Sequence, residues 1–536
     1  MIVKRLLLLA LLGLSGCRSG CAATPSIDRL AREPKTEVHA LERTLIFHPV
    51  RVDAQKGIVP WSDHEAPFHE VAALSFKRFS AIPNADHGFP PYFTASMFEG
   101  DSFAPAGWVH NPTGLAAMLV RSSLRWHAYA GDAEPLKKTR ALVDHVLAHG
   151  LTAESDAWSR VPFASGDAGQ LDYKGGDDTK YCEHHDTCGR GDGPGVLEPD
   201  KIGELGHALV LLYEAPGEAK YLATAIHFGD ELARHVRPGD AKSSPWPFRV
   251  DAKTGEKVRE PWTTNVIFTI SLFDELERLG KASDAHRKAR ALTWTWLMDR
   301  PLRDHTWQGF FEDIPVHVEP GTNPNQYSPG EVARYLINHP ERDPEWRAHA
   351  QSIVGWIAKT FANDDQGAEA ISEQRADMAK MGSHTARYAS LLAMLHEKTG
   401  DPSLRARAFR SFSWATYGTH ESGLVRVSPD EGEGYWFSDG YGDYMIHFLD
   451  GIAAVPAWAP SAENHLLRGS SVVTKIAYGP KEIRYSTFDA QGDEELRLAS
   501  PVKAIEGATF TSKDVPGGGV WIHVHRDASR DVHLTL

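Results

Sequence analysis

MGSHTARYASLLAMLHEKTGDPSLRARAFRSFSWATY, residues 381–417, reads as two helices joined by the tight turn Thr399-Gly400-Asp401. Asp401 has the side chain of an N-cap. Pro402 suits the first helical position, where its missing N–H would be unpaired anyway. The first helix is apolar nearly all round (Ala389, Leu391, Leu392, Ala393, Met394, Leu395), so burial on most sides is expected. The second sets Arg405, Arg407 and Arg410 between Leu404, Ala408, Phe409 and Phe412, the pattern of a helix with one wet face. An inner helix is thus paired with an outer one.

The pairing repeats along the chain. Segments 113–130 and 134–149 flank Gly131-Asp132; 201–213 and 218–236 flank Pro216-Gly217; 265–279 and 284–298 flank Gly280-Lys281; 329–338 and 344–361 flank 339–343. A last inner-type helix, 441–449, has no partner after it. Its expected partner is an early helix at 69–79, which closes a ring of six. Turns within hairpins are short, whereas the links between them (150–200, 237–264, 299–328, 362–382 and 418–440) are long. In a closed ring all short turns fall on one face and all long links on the other. Long loops in a compact domain are usually functional or disordered. These are rich in Trp, Tyr, Asp and Gly and lack the charge runs of disorder. The working face is therefore expected at the N-terminal ends of the inner helices, in a repeat architecture rather than two unrelated domains.

Composition bounds the partners. With 536 residues, 42% of them hydrophobic, the chain can bury a large core. Lys+Arg 57 against Asp+Glu 71 gives a net charge of -14, which argues against nucleic acid or anionic lipid as principal partner. Lys4 and Arg5 precede an apolar run, Leu6 to Leu12, too short to span a bilayer, so 1–23 reads as a signal peptide. It contains Leu14-Ser15-Gly16-Cys17, which resembles the bacterial lipobox, whose cysteine becomes the lipidated first residue of a membrane-anchored protein. Ordinary cleavage near Ala23 is the alternative, and either reading exports the mature chain. Cys182 and Cys188, in CEHHDTC, are the cysteines beyond that region, and in an oxidising compartment a local disulfide is the default. The intervening Glu183, His184, His185 and Asp186 lack CxxC or HExxH spacing, so neither a metal nor another cofactor is expected.

Residues 24–64 look extended or irregular. After Pro460, the segments SSVVTKIAY, EIRYSTFD, EELRLAS, GVWIHVHR and DVHLTL alternate apolar and polar residues between glycine-containing turns. That pattern predicts a small antiparallel β-domain over 468–536, for packing or for binding carbohydrate. On its repeated TGDP-type hairpins, the segment 65–460 resembles the six-hairpin glycosidase-like superfamily. The resemblance implies a mainly α (α/α)6 toroid with its active site in the funnel at the inner-helix N-termini. It also implies enzymes that are mostly glycoside hydrolases, with polysaccharide lyases and sugar epimerases on related toroids. No single family's catalytic motif is matched, so the resemblance contributes no catalytic residue.

Candidate residues follow from position at the inner-helix starts. Asp439 and Asp443 in YWFSDGYGDY are spaced to share one helix face, with Trp436, Tyr441 and Tyr444 around them. Glycoside hydrolysis needs two carboxyls across the scissile bond, one protonated and one ionised. Glu312 with Asp313, Glu373, and Asp177-Asp178 lie on long links and are candidates for the opposing group. Trp108, His110, Tyr327, His384, Arg387, Tyr388, Trp436 and Tyr441 are the expected substrate-binding groups. Trp61, Trp158, Trp246, Trp262 and Trp307 also fall in loops, where aromatic faces can stack on sugar rings. Ser328-Pro329-Gly330-Glu331 has the S-x-x-E capping pattern, which makes Glu331 a cap rather than a catalyst. The reading that results is an exported enzyme hydrolysing a poly- or oligosaccharide. Two alternatives stay open: a uronate lyase or epimerase using His384, Arg387 and Tyr388, and a non-catalytic glycan-binding protein of the cell envelope.

Overall fold

The structure is a computed structural model. It describes residues 27–84, 97–99, 104, 111–167, 169–176, 192–215, 217–258, 261–309, 322–376, 378–429 and 435–536, with the side chains of 27–28 and 435–437 outside the description. The signal peptide with Cys17, the pair Cys182 and Cys188, and Trp108, His110, Glu312, Asp177-Asp178 and the Trp436 side chain lie outside the described residues.

Twelve α-helices are described: α1 (Pro67–Ala81), α2 (Pro112–Ala130), α3 (Glu134–His149), α4 (Pro199–Glu214), α5 (Ala219–His235), α6 (Ile267–Arg278), α7 (Asp284–Leu297), α8 (Tyr327–Asn338), α9 (Trp346–Phe361), α10 (Gly382–Thr399), α11 (Pro402–Thr416) and α12 (Met445–Ala454). Local chemistry sets their ends. Asp401 accepts from the Ser403 amide, with Pro402 following, and Asn111 accepts from the Gly114 amide ahead of Pro112. Gly131 and Gly400 close α2 and α10 at φ 73° and 75°, a left-handed conformation that costs glycine little.

Helices α2, α4, α6, α8, α10 and α12 pack in that order as an inner ring, with α12 returning to α2. Helices α3, α5, α7, α9 and α11 each back the preceding inner helix, and α1 backs α12. The expected pairing of the first and last helices therefore closes an (α/α)6 toroid. One apolar core runs through the ring, from Phe68 and Phe76 through Leu205, Leu272 and Leu336 to Phe448.

The long links are more structured than expected. Strands β4 (Val196–Leu197) and β5 (Val250–Asp251) join two links. Strands β3 (Met97–Glu99) and β8 (Tyr435–Phe437) join two others, and β6 (Ala362–Asp365) pairs with β7 (Ala368–Ile371) as a hairpin. Trp158, Trp246, Trp262 and Trp307 are buried inside these links, and Trp61 is half-buried, stacked on His48 with centroids 4.1 Å apart. The expectation of loop tryptophans as sugar platforms is corrected for the four buried ones, Trp158, Trp246, Trp262 and Trp307. Their rings build the rim, because a long link can hold a fixed shape only by burying apolar area of its own.

The N-terminal segment, expected to be extended or irregular, contains an antiparallel hairpin of β1 (Val38–Leu45) and β2 (His48–Asp53), seated on Trp414 and Tyr417. At the other end the chain forms two four-stranded antiparallel sheets. They comprise β9 (His465–Gly469), β10 (Val473–Tyr478), β11 (Glu482–Thr487), β12 (Gly492–Leu498), β13 (Ala504–Glu506), β14 (Thr509–Asp514), β15 (Val520–Arg526) and β16 (Asp531–Thr535). The sheet orders are β10-β11-β16-β13 and β14-β15-β12-β9, around a separate core of Leu466, Ile483, Leu496, Ile522 and Leu534. This sandwich covers the short-turn face: Tyr478 donates to the Ala128 carbonyl, and Arg468 grips Glu397 near the end of α10.

Candidate active site

The inner helices present charge to the ring axis where their sequences otherwise read as apolar. On α10, His384 and Arg387 sit one turn apart and face inward. The fully buried Arg387 guanidinium donates to Glu331 on α8 (3.0 Å), to Gln326 (3.3 Å) and to Nδ1 of His384 (2.8 Å). It also donates to Asp443 and lies 4.4 Å above the Tyr327 ring. Arg334, one turn after Glu331, pairs with Glu331 (3.3 Å) and Asp450 (2.6 Å) and donates to Nδ1 of His447 (3.0 Å). Tyr327 donates to Glu204 on α4 (3.0 Å), which also accepts from Arg121 on α2 (3.0 Å). One ionic network thus links five of the six inner helices: α2 and α4 through Glu204, then α8, α10 and α12. A cavity of about 180 Å³ runs along the axis beside it, lined by Arg121, Tyr327, Glu331, Asp443 and His447 among others.

Arginine has no acceptor, so its contacts fix both histidine tautomers. Nδ1 of His384 and Nδ1 of His447 must each accept from an arginine. Their protons therefore sit on Nε2, which lies 3.5 Å from Glu373 in His384 and 3.5 Å from Asp443 in His447. Burial pushes His447 down to about 4, and the nearby arginines add to the effect. The imidazole is therefore neutral at pH 7.

Asp439 and Asp443 are set apart electrostatically. Asp439 opens a 3-10 turn (Asp439–Tyr441), and its carbonyl accepts from the Asp443 amide at 2.9 Å, which brings the two residues one turn apart ahead of α12. Burial, with Asp443 and Glu373 as negative neighbours, pushes the Asp439 carboxyl up to about 7. Its Oδ1 is shielded from solvent and has no hydrogen-bond partner among the described residues. Burial also disfavours charge on Asp443, but Arg387, His447 and His384 outweigh it and hold that carboxyl far below the usual range. Asn265, just before α6 and so across the ring from α12, is buried with neither amide atom partnered among the described residues. A buried amide left unpaired costs about 1–3 kcal/mol, and a ligand or water at the mouth would relieve it.

The structure therefore brings Asp439, Asp443, Glu373, His384, Arg387 and Tyr327 together. It sends the remaining described candidates elsewhere. Tyr388 faces the outer layer, accepting from Arg407 (2.6 Å) and donating to Glu369 (3.2 Å). Tyr441 donates to the Gly423 carbonyl and Tyr444 to the Ala415 carbonyl, so neither ring surrounds the two aspartates as expected. The capping assignment of Glu331 is corrected as well. Asn325 accepts from the Ser328 amide (3.0 Å) and caps α8 one turn earlier, leaving Glu331 to the arginines. Arg121, Arg334 and His447 were not among the sequence candidates. The available signal was an arginine or histidine on a helix otherwise apolar enough to be buried.

Solved structures share this architecture. The cellobiose 2-epimerase of Spirochaeta thermophila DSM 6192 is 13% identical, with a TM-score of 0.54 over 73% of this chain and 96% of that one. The cellobiose 2-epimerase of Bacillus thermoamylovorans B4167 is 10% identical, with a TM-score of 0.52 over 72% and 97%. A D-mannose isomerase is 10% identical, with a TM-score of 0.50 over 72% and 96%. No protein-family model and no curated protein matches the chain. At this identity the likeness shows the fold alone: an (α/α)6 toroid of helical hairpins.

Proposed function

We propose that the chain is an exported carbohydrate-active enzyme that hydrolyses glycosidic bonds of a poly- or oligosaccharide, with Asp439 as proton donor. The observation that carries this reading is the divergence of two carboxyls one turn apart at the mouth of the ring. Asp439 keeps its proton near neutral pH and has an oxygen without a partner among the described residues, while Asp443 stays ionised under Arg387. Environments that push two carboxyls apart assign the acid and its charged partner. Asp443 is too weak a base to take a proton. Its fixed charge serves instead to keep Asp439 protonated and to stabilise positive charge developing on the sugar ring. Glu373, oriented by His384, is the candidate base or nucleophile.

The groups on which a uronate lyase or epimerase would rest are already engaged. Arg387 spends its donors on Glu331, Asp443, Gln326 and His384, and Tyr388 points to the outer layer. The lone pairs of His384 and His447 are occupied by arginines, which supports carboxylate chemistry over proton abstraction by imidazole. The epimerases and isomerase with this fold do not alter that reading, because fold alone does not fix a reaction.

The test incubates the mature protein with neutral and uronic-acid polysaccharides, following reducing ends and the ultraviolet absorbance of unsaturated uronates together. Reducing ends alone, lost in Asp439→Asn, support hydrolysis; unsaturated products move the assignment to a lyase; glycan binding without turnover leaves a binding protein. The anchor is tested by metabolic labelling with palmitate, which Cys17→Ala is expected to abolish.

A further inference from the structure

We propose that His69, Glu463 and His465 bind a divalent transition ion of the zinc class at the seam between the toroid and the β-sandwich. His69 lies in the first turn of α1, and Glu463 and His465 lead into β9, so the three meet on the short-turn face, away from the carboxylate site. Their ligand atoms all fall within 4.8 Å of one another.

The tautomers make the case. Nδ1 of His465 is 2.9 Å from the Tyr129 carbonyl oxygen, which can only accept, so Nδ1 carries the proton. Nε2 then presents a lone pair. It lies 3.2 Å from Oε2 of Glu463, has no other partner among the described residues, and belongs to a side chain only 5% exposed. Two electron-rich atoms facing each other, one of them on a buried ring, call for a cation between them. His69 completes the set: its Nδ1 is 2.9 Å from the Tyr129 hydroxyl, and its Nε2 is 3.9 Å from the same Glu463 oxygen.

Both imidazoles are thus oriented from behind by one residue, Tyr129, whose ring also stacks on His465 at 4.0 Å. A backing hydrogen bond on the far nitrogen is the usual companion of a metal-bound histidine. Zinc bonds of about 2.0–2.2 Å place tetrahedral ligand atoms roughly 3.3 Å apart, so the two spacings to Glu463, 3.2 and 3.9 Å, need sub-ångström change. His64 stacks near His69, but its Nδ1 accepts from the Ala66 amide (3.1 Å), so it is not a ligand in this arrangement. Glu463 is about half exposed, which leaves a fourth position open to water. The ion would staple the first helix of the ring to the start of the sandwich.

The test uses the full chain without a polyhistidine tag, stripped by chelator and titrated with Zn²⁺ by calorimetry and with Co²⁺ by visible absorption. Because the chain has 27 histidines, the reading is the difference between the native chain and two variants. Glu463→Gln removes a charge from a half-exposed side chain, and His465→Asn keeps a donor near the Tyr129 carbonyl while deleting Nε2. The expected result is one equivalent bound by the native chain, with a tetrahedral cobalt spectrum and a rise of a few degrees in unfolding temperature. Each variant should lose that equivalent and the rise, with metal-free circular dichroism unchanged. No binding by the native chain would mean that a proton rather than a metal joins His465 to Glu463, and would overturn the site. Undiminished binding in either variant would overturn it equally.

Discussion

Asp439 and Arg387 carry most of the residue-scale consequences. Replacing Asp439 by Asn should lower kcat roughly 10²–10⁴-fold, with less loss on substrates whose leaving group needs no protonation. Activity should fall as pH rises through about 7, where Asp439 loses its proton. Stability has the same sign. The native carboxyl keeps its proton to about 7, whereas a free aspartate releases it near 3.8. This group's contribution is therefore complete below about 4 and is lost as pH rises through 7. Urea unfolding of Asp439→Asn across that range should show the slope reduced. Asp443 acts oppositely: it is held low, so its contribution stands above about 4 and is lost in acid. Arg387→Met should cost about 3–5 kcal/mol in denaturant unfolding, because Asp443 is left buried without its guanidinium and Glu331 keeps only Arg334. The two aspartates were legible in the sequence from their spacing ahead of an inner helix. Their opposite protonation was not, since it depends on an arginine more than fifty positions away.

At the scale of elements, helix contact distance matters more than helix propensity. A Cβ on Gly203 of α4 would lie 1.9 Å from Thr269 Oγ1 and 2.8 Å from the Thr269 Cα on α6. Gly203→Ala should therefore destabilise by about 1–3 kcal/mol, since backbone cannot yield as a side-chain tip can. Gly355 of α9 is the contrast: nothing lies within 4 Å of its Cβ position and the residue is exposed. Gly355→Ala should stabilise by about 0.5–1 kcal/mol, the ordinary helical preference for alanine. Thermal unfolding of the pair checks both signs. Helices and short turns were legible because caps, prolines and periodicity are local. The link strands β3, β4, β5 and β8 were not, because each finds its partner in a different link.

At the scale of the molecule, the sandwich is clamped to the ring. Glu397 is buried near the end of α10, and burial works against its charge. Arg468 from β9 and Arg29 from the N-terminal segment nevertheless hold it low, at about 2. Arg468→Met should cost about 3 kcal/mol by leaving that buried carboxylate to Arg29, and calorimetry should show the sandwich unfolding at lower temperature than the ring. The sequence by itself determined the helical hairpins, the closing partnership of the first and last helices, and the β-rich end. Each rests on periodicity and turn chemistry carried by neighbours in the chain. Only the tertiary structure decided that Glu331 serves arginines instead of a cap, that Trp158, Trp246, Trp262 and Trp307 are rim core, and that Tyr388 faces outward. It alone joined His69 to Glu463 and His465, because burial and charge pairing depend on residues that meet only after the ring has closed.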